Sequence, residues 1–207
     1  MSKLSLTDEN SDAGQCCLRG WFRKKQPGQV RAALIQCAAE LAARQGLTAV
    51  TVQAVAQAAG VTKGGFFHHF PHKQALLDAV FDAFKAEHDR EIDRLIAEDN
   101  QAWGSFTRAY VMMAFRDILQ EEASLHVPLS LSMMNSAELC ERWSHWLAGR
   151  LRQHQSTDTH PQHEMVRLAA DGAWMVHSLK LHASVGAPLV LREQLLMATR
   201  RSDTPCP

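Results

Sequence analysis

The chain of 207 residues has no apolar run approaching the roughly 18 residues that a membrane-spanning helix needs. Its first residues, MSKLSLTDEN, also lack the basic and then apolar order of a secretory signal peptide. We therefore expect a cytoplasmic protein that does not act at a membrane.

Paired cysteines are missing as well. The five cysteines are odd in number, and no two of them form a CxxC pair. This pattern argues against a disulfide framework and against a zinc knuckle, so we expect reduced thiols.

Motifs of catalysis are equally absent. The chain contains no GxSxG nucleophile, phosphate-binding loop, HExxH or paired-carboxylate spacing. His154, His160 and His163 lie close to Asp158, but their spacing is not the i, i+4 pair of a helical metal site and no paired cysteine joins them. We expect neither an enzyme nor a bound metal or cofactor.

Positive charge is concentrated in one third of the chain. The formal net charge is zero, yet residues 13–77 carry eight basic side chains and a single acidic one, Glu40. The rest of the chain is acidic overall. The basic third is suited to bind a polyanion such as nucleic acid.

Strict alternation of β-branched residues is also lacking, and the apolar periods are helical, which predicts an all-α fold of about nine helices. Residues 1–26 have no such period and end in the basic cluster WFRKK, so they are expected to form a flexible basic arm. A long helix starts near Leu76 and links two domains. A polar loop is expected over residues 153–164, then an apolar helix from Glu164 to Val185 and a last helix over residues 189–199.

Residues 51–77 read TVQAVAQAAGVTKGGFFHHFPHKQALL and predict two short helices on a tight turn, followed by a third helix. Val55 and Ala56 lie on the buried face of the first helix. Gly60 can take the left-handed conformation that ends this helix, and Thr51 and Thr62 are placed as N-caps. The pattern is that of a helix-turn-helix with a lysine at the start of its second helix.

This stretch resembles the amino-terminal signature of the tetracycline-repressor (TetR) family of bacterial transcriptional regulators, over residues 29–80. The matching positions are Thr51, Val55, Ala56, Ala59, Gly60, Val61, Thr62, Lys63, Gly64, Phe67, His68, His69, Phe70, Pro71, Lys73, Leu76 and Leu77. The resemblance implies a helix-turn-helix DNA-binding domain over residues 27–74 and a helical-bundle domain for ligand binding and dimerisation over residues 75–207. It also implies a homodimer on double-stranded operator DNA and a small inducer.

The residues that we expect at the DNA are Thr51, Thr62, Lys63, Gly64, Gly65, Phe67, His68, His69 and Lys73. Lys63 is placed to read a guanine or pair with a phosphate, and the resemblance makes Lys73 a phosphate clamp. Phe67 and Gly65 replace residues that usually carry a hydroxyl in the family, so two phosphate hydrogen bonds are missing. The basic arm either offsets this loss or is only a solubilising tail.

Aromatic and methionine side chains recur in the second half and predict a pocket for a hydrophobic compound, although packing alone would explain any one of them. The expected ligand-binding residues are Trp103, Phe106, Tyr110, Met113, Met134, Trp143, Trp174 and His177. Polar contacts would come from Tyr110, His126, Asn135, His145 and His177. Small residues around Asp171 favour close packing of a second helix, which predicts a dimer seam made by the last two helices.

These observations favour a ligand-responsive repressor that binds palindromic operator DNA as a dimer and is released by a small hydrophobic inducer. The alternative is a redox-sensing DNA-binding regulator that uses Cys16, Cys17, Cys37 or Cys140, since thiol oxidation can change the shape or charge of a regulator.

Overall fold

The structure is a computed structural model that describes residues 27–119, 125–181 and 187–200. The predicted basic arm, residues 1–26, lies outside the described residues. In the described ranges the chain forms ten α-helices and one 3₁₀ turn, without a strand, so the expected all-α fold is confirmed. No helix in these ranges is long and apolar enough to cross a membrane.

The helices are α1 (Pro27–Gln45), α2 (Val52–Ala58), α3 (Lys63–Phe67), α4 (Lys73–Glu98), α5 (Ser105–Leu119), α6 (His126–Met133), α7 (Ala137–Gln153), α8 (Gln155–Asp158), α9 (Pro161–Ser178) and α10 (Pro188–Ala198). The 3₁₀ turn, Leu47–Ala49, joins α1 to α2. The additional helix relative to the expected nine is α8.

A head formed by α1, α2, α3 and the start of α4 is built around Phe66. This side chain is fully buried, and the centre of its ring lies 5.4 Å from that of Phe67 and 5.9 Å from that of Phe70. Leu34 of α1 and Val55 of α2 belong to the same buried cluster. The head therefore has an apolar core beneath the helix-turn-helix.

Two helices connect this head to the rest of the molecule. The first is α4, whose Val80 belongs to the head cluster while its Ile92 packs in a separate cluster with Phe106 of α5. The second is α6, which packs against α1 and contributes Leu129 and Met133 to the head cluster. The head is thus continuous with the second domain through α4 and α6.

Helix α5 lies at the centre of the second domain, in contact with α4, α8, α9 and α10. Val111 and Phe115 are fully buried and pack in one cluster with Val166 and Ala170 of α9. The sequence pattern of a helix that is apolar over much of its circumference is explained by this surrounded position.

A buried arginine organises the connection between α4 and α5. The guanidinium of Arg108 donates to the carboxylate of Asp99 at 2.6 Å and to the carbonyl oxygens of Trp103 and Gln101 at 2.8 and 2.5 Å. It also reaches the hydroxyl of Thr199 after α10, at 3.2 Å. One side chain therefore satisfies the loop's carbonyls and joins both ends of the domain.

The prediction of a polar loop over residues 153–164 was wrong for most of this range, since α8 occupies its middle and α9 begins at Pro161. The cause is a tertiary contact. Asp158 is almost fully buried and accepts hydrogen bonds from the backbone N–H and the hydroxyl of Thr107 on α5, at 2.8 and 2.6 Å. Pro161 then suits the first position of α9, where no N–H is needed.

The apolar helix expected to run to Val185 ends earlier, at Ser178. Lys180 adopts a left-handed conformation with φ of 52°, and the backbone N–H of Leu181 donates to the carbonyl of Val176 at 2.9 Å. This is the geometry of a helix C-terminus closed by a left-handed residue. Hydrophobicity alone did not reveal the stop, because Leu179 and Leu181 on either side are apolar yet half-exposed.

Candidate DNA-binding head and effector cavity

Both helices of the helix-turn-helix, α2 and α3, begin with a side-chain N-cap. Thr51 Oγ1 accepts a hydrogen bond from the backbone N–H of Ala54 at 3.1 Å, and Thr62 Oγ1 accepts one from Gly65 at 3.0 Å. Gly60 takes the left-handed conformation with φ of 64°. The local structure that the sequence predicted at these three positions is therefore present.

Helix α3 turns a continuous surface toward solvent. Thr62, Lys63, Gly64 and His68 are exposed, and Phe67 exposes 44% of its surface although Phe66 beside it is buried. Gly65 and His69 are half-buried, and Thr51 at the start of α2 is exposed. Because Phe66 anchors α3 in the head core, its neighbours are held on the outside. A large exposed aromatic ring such as Phe67 is the kind of side chain that a binding surface uses.

Lys73, the expected phosphate clamp, begins α4 and is half-buried. Its ammonium group donates to the carbonyl oxygen of Leu47 in the 3₁₀ turn, at 3.3 Å. In this conformation Lys73 ties α4 to the turn between α1 and α2, a role that no local pattern indicated.

A cavity of about 400 Å³ lies in the second domain. It is bounded by α4, α5, α6, α7 and α9, and its volume falls in the range of pockets that bind small organic molecules. The lining residues are Phe81, Phe84, His88, Tyr110, Met113, Ala114, Asp117, His126, Ser130, Met133, Met134, Leu139, Cys140, Trp143, Ser144, Leu147, Asp171, Trp174 and Met175.

Five of the expected ligand-binding residues lie together in this wall: Tyr110, Met113, Met134, Trp143 and Trp174. His126, one of the expected polar contacts, also lines it. Asn135 and His145 are exposed and lie outside the lining set.

The other three expected ligand-binding residues lie elsewhere. Phe106 is fully buried with its ring stacked on His154 at 5.1 Å, and the ring of Trp103 lies 5.2 Å from that of His163. His177 is exposed near the end of α9. Phe106 shares the stripe of Tyr110, but the cavity begins one helical turn later, a boundary that helical periodicity does not reveal.

Sequence reasoning missed several lining residues, foremost Phe84, His88 and Asp117. A signal was present for two of them. Asp117 follows Met113 by four residues on the same face of α5, and His88 lies four residues from Phe84 and from Ile92 on α4. Extending the apolar stripes through polar positions would have included both.

A polar cluster forms one part of the cavity wall. The carboxylate of Asp117 lies 2.9 Å from His126 Nδ1 and accepts a hydrogen bond from the indole N–H of Trp174 at 3.2 Å. Burial alone would raise the pKa of Asp117, but the hydrogen bonds from His126 and Trp174 outweigh it and the net shift is downward. Asp117 is therefore ionised near neutral pH.

His88 lies beside this cluster, with its ring centre 4.6 Å from that of His126. Burial, reinforced by the neighbouring His126, lowers the pKa of His88 to about 4. Neutral at physiological pH, its Nδ1 donates to the carbonyl of Phe84 at 2.9 Å, since a carbonyl can only accept.

A second acid closes another part of the wall. The hydroxyl of Tyr110 donates to Asp171 at 2.6 Å, joining α5 to α9. Burial, with the nearby Asp171, raises the pKa of Tyr110, so the phenol stays protonated. Desolvation raises the pKa of Asp171, against the opposing effects of the Tyr110 hydrogen bond and of Arg167.

The cysteines that the structure describes lie in different surroundings. Cys37 is buried in the head, whereas Cys140 is exposed on α7 and lines the cavity. Cys16, Cys17 and Cys206 lie outside the described residues. Among the described residues, no three potential metal ligands cluster in a metal-binding arrangement.

Comparisons with known proteins bear on both halves of the chain. Residues 34–80 match the bacterial regulatory proteins of the tetR family, and residues 104–200 match the tetracyclin repressor-like C-terminal domain. The two matches together cover more than half of the chain.

Individual relatives are similar over shorter stretches. The HTH-type transcriptional repressor KstR2 of Rhodococcus jostii is 41% identical over 54 residues, which is 26% of this chain and 26% of that protein. The HTH-type transcriptional regulator TtgR of Pseudomonas putida is 26% identical over 96 residues, 46% of each chain. The match with this chain thus spans less than half the length of these relatives.

Among solved structures, a TetR-family member from Streptomyces coelicolor, SCO1917, has a TM-score of 0.63 at 16% identity and covers 84% of this chain and 99% of its own. At this identity the likeness is one of fold. With matches to the family in both the helix-turn-helix head and the helical second domain, the chain belongs to the TetR family of transcriptional regulators.

Proposed function

We propose that the chain is a repressor that binds operator DNA as a homodimer and releases it when a small hydrophobic compound occupies the cavity. The observation that carries this proposal is that cavity wall and head core share side chains. Phe81 of α4 and Met133 of α6 line the cavity and also belong to the buried cluster of the head.

This sharing supplies a physical route for release. A compound that displaces Phe81 or Met133 acts on α4 or α6, both of which pack against α1, so the cavity and the head cannot rearrange independently. The effector need only bind more tightly to the conformation with separated heads than to the DNA-bound one. A ratio of about 100 in these affinities corresponds to close to 3 kcal/mol of bias.

The homodimer is supported by an exposed apolar face on the last two helices. Met165, Leu168, Met175 and Leu179 recur at spacings of three, four and seven along α9, and each exposes 42% or more of its surface. Leu189, Val190 and Met197 extend the face onto α10. A second copy of this face would cover it, as self-complementary interfaces in twofold dimers do.

The DNA-binding role rests on the exposed side of α3. In a twofold dimer the two α3 helices would read half-sites separated by about 34–36 Å, one turn of DNA. Lys63 at the exposed start of α3 is the side chain that we assign to a guanine edge or to a phosphate.

The test of this assignment is a gel-shift series on Lys63→Ala over a range of salt concentrations. Loss of one phosphate contact should lower the logarithmic salt slope by about 1, and loss of a guanine contact should cost about 1–3 kcal/mol at one base pair of the operator. Arg152→Ala, at an exposed position on α7, serves as the control. Unchanged affinity and salt slope in Lys63→Ala would show that the DNA-binding surface is assigned wrongly.

The redox-sensing alternative is kept because Cys140 combines exposure with a place in the cavity wall. Operator affinity should be measured with and without hydrogen peroxide in the wild type and in Cys140→Ser. A response to peroxide that Cys140→Ser abolishes would favour a thiol signal. A response to apolar compounds that Cys140→Ser retains would favour the small-molecule effector.

A further inference from the structure

Acidic side chains outnumber lysines and arginines in the cavity wall. Asp117 and Asp171 line it, and the described lining residues include no lysine or arginine. A wall with carboxyl groups and without a lysine or arginine disfavours an anionic ligand and favours a cationic one.

Asp117 keeps unused hydrogen-bonding capacity in this wall. Its side chain is only 3% exposed, and the contacts to His126 and Trp174 both engage Oδ2. The other oxygen, Oδ1, is buried and accepts no hydrogen bond from any residue that the structure describes. Arg116 Nε forms an ion pair with Oδ1 at 3.7 Å, a distance too long for a hydrogen bond. A buried carboxylate oxygen that lacks a donor is costly unless a ligand supplies one.

The neighbouring polar groups also act as acceptors. His88, held neutral by burial, uses its Nδ1–H on Phe84, so its second ring nitrogen carries a lone pair. Tyr110 donates its hydroxyl hydrogen to Asp171, which leaves the phenol oxygen as an acceptor. The cavity therefore offers acceptors to a ligand that brings donors.

Aromatic rings complete the site. Trp143 and Phe84 lie in the wall with centres 6.1 Å apart, and Trp174 donates to Asp117, which places an indole beside the carboxylate. Indole and phenyl faces attract organic cations and accommodate the apolar body of the same molecule.

We propose that the effector is a hydrophobic organic cation, an arylalkyl amine in its protonated form, whose ammonium donates to Asp117 while its rings pack against Trp143 and Trp174. Asp171 supplies a second carboxyl group in the same wall. This inference rests on the proposed function, because it takes the cavity as the effector site, and it narrows the chemical class of the effector.

The test uses three probes of nearly equal shape: para-phenylbenzylamine, para-phenylbenzyl alcohol and para-phenylbenzoic acid, titrated calorimetrically into the full chain at neutral pH. We expect the amine to bind at least about tenfold more tightly than the alcohol, and the acid most weakly, since a charge-assisted hydrogen bond is roughly twice as strong as a neutral one.

Variants locate the interaction. Asp117→Asn should weaken the amine about tenfold or more and leave the alcohol nearly unchanged, whereas Glu141→Gln, at an exposed position on α7 outside the lining set, should alter neither. Asp171→Asn provides a second test that does not disturb the contacts with His126. Thermal unfolding of each variant checks that it folds.

Equal binding of amine and alcohol, or tighter binding of the acid, would overturn the cationic class. The cationic class would also be overturned if neither Asp117→Asn nor Asp171→Asn changed the affinity for the amine. The proposed function is tested separately, by the effect of saturating amine on operator affinity. If the amine binds in the expected order and its binding depends on Asp117, but operator affinity does not change, the ligand class stands and the release mechanism is wrong.

Discussion

Gly104 occupies a position between α4 and α5 that no residue with a side chain fits. Its φ is +74°, and a Cβ atom at this position would lie 2.9 Å from the carbonyl oxygen of Thr199 and 3.0 Å from the guanidinium of Arg108. Both the backbone conformation and the close approach therefore require glycine.

We expect Gly104→Ala to lower the free energy of unfolding by about 2–4 kcal/mol, from left-handed strain together with overpacking. Urea unfolding at one fixed protein concentration measures it. Gly149→Ala is the matched control: it lies within α7, and its nearest neighbour is the end of Arg152 at 3.8 Å. This control should raise stability by about 0.5–1 kcal/mol. Equal effects of the two substitutions would contradict the argument.

Single residues also differ in how far local sequence predicts their role. Thr51, Gly60 and Thr62 act on their own backbone neighbours, so their roles as caps and helix stop were predictable and are confirmed. Lys73 contacts Leu47, 26 positions away, and Asp158 contacts Thr107, 51 positions away. Such partners are brought together only by the packing of helices.

At the scale of elements, α4, α6 and α7 meet at a stack of rings. His88 of α4 lies against His126 of α6 and, edge to face at 5.1 Å, against Trp143 of α7. A charged imidazole in this buried stack is unfavourable, because both desolvation and the neighbouring His126 oppose it.

This burial predicts an acid sensitivity of folding. The unfolded chain takes up the proton of His88 near pH 6.5, but the folded chain does so only near pH 4. The unfolded state therefore binds more protons in this window, and stability falls as the pH drops through it. From this residue we expect a loss of about 2–3 kcal/mol between pH 7 and pH 4.

The measurement is the urea unfolding free energy at a series of pH values for the wild type and for His88→Phe. The variant keeps a ring in the stack and should lose less stability toward pH 4. His145→Gln, at an exposed position on α7, should follow the wild type. If His88→Phe loses as much stability as the wild type over the same range, the burial of a neutral His88 is not the cause.

At the scale of the whole molecule, the proposed dimer would close over the exposed apolar face of α9 and α10. Leu168 exposes 63% of its surface within a single chain. In a dimer closed over this face it would lie in an apolar seam, where an unpaired carboxylate is strongly unfavourable.

We therefore expect Leu168→Glu to weaken dimerisation by about 100-fold or more, equivalent to close to 3 kcal/mol. Sedimentation over a range of concentrations measures it, with Ala83→Glu on the exposed side of α4 as the control. Affinity for a full palindrome should decrease as dimerisation weakens, since two linked heads bind far more tightly than one. A Leu168→Glu protein that remains dimeric at the wild-type concentration would place the seam elsewhere.

The sequence by itself determined the all-helical class, the helix-turn-helix with its caps and left-handed glycine, and the concentration of positive charge in one third of the chain. These features follow from contacts within a few residues or from composition, which is why they can be read along the chain. It also indicated that aromatic and methionine side chains would gather in the second domain.

Only the tertiary structure decided which of those side chains face one another. It placed Tyr110 and Trp174 in the cavity wall but Trp103 and Phe106 in packed surroundings, and it brought Asp117 to the same wall. The physical reason is that α5 is surrounded by other helices and is apolar over much of its circumference. The position of its neighbours, rather than its own periodicity, therefore determines where space remains.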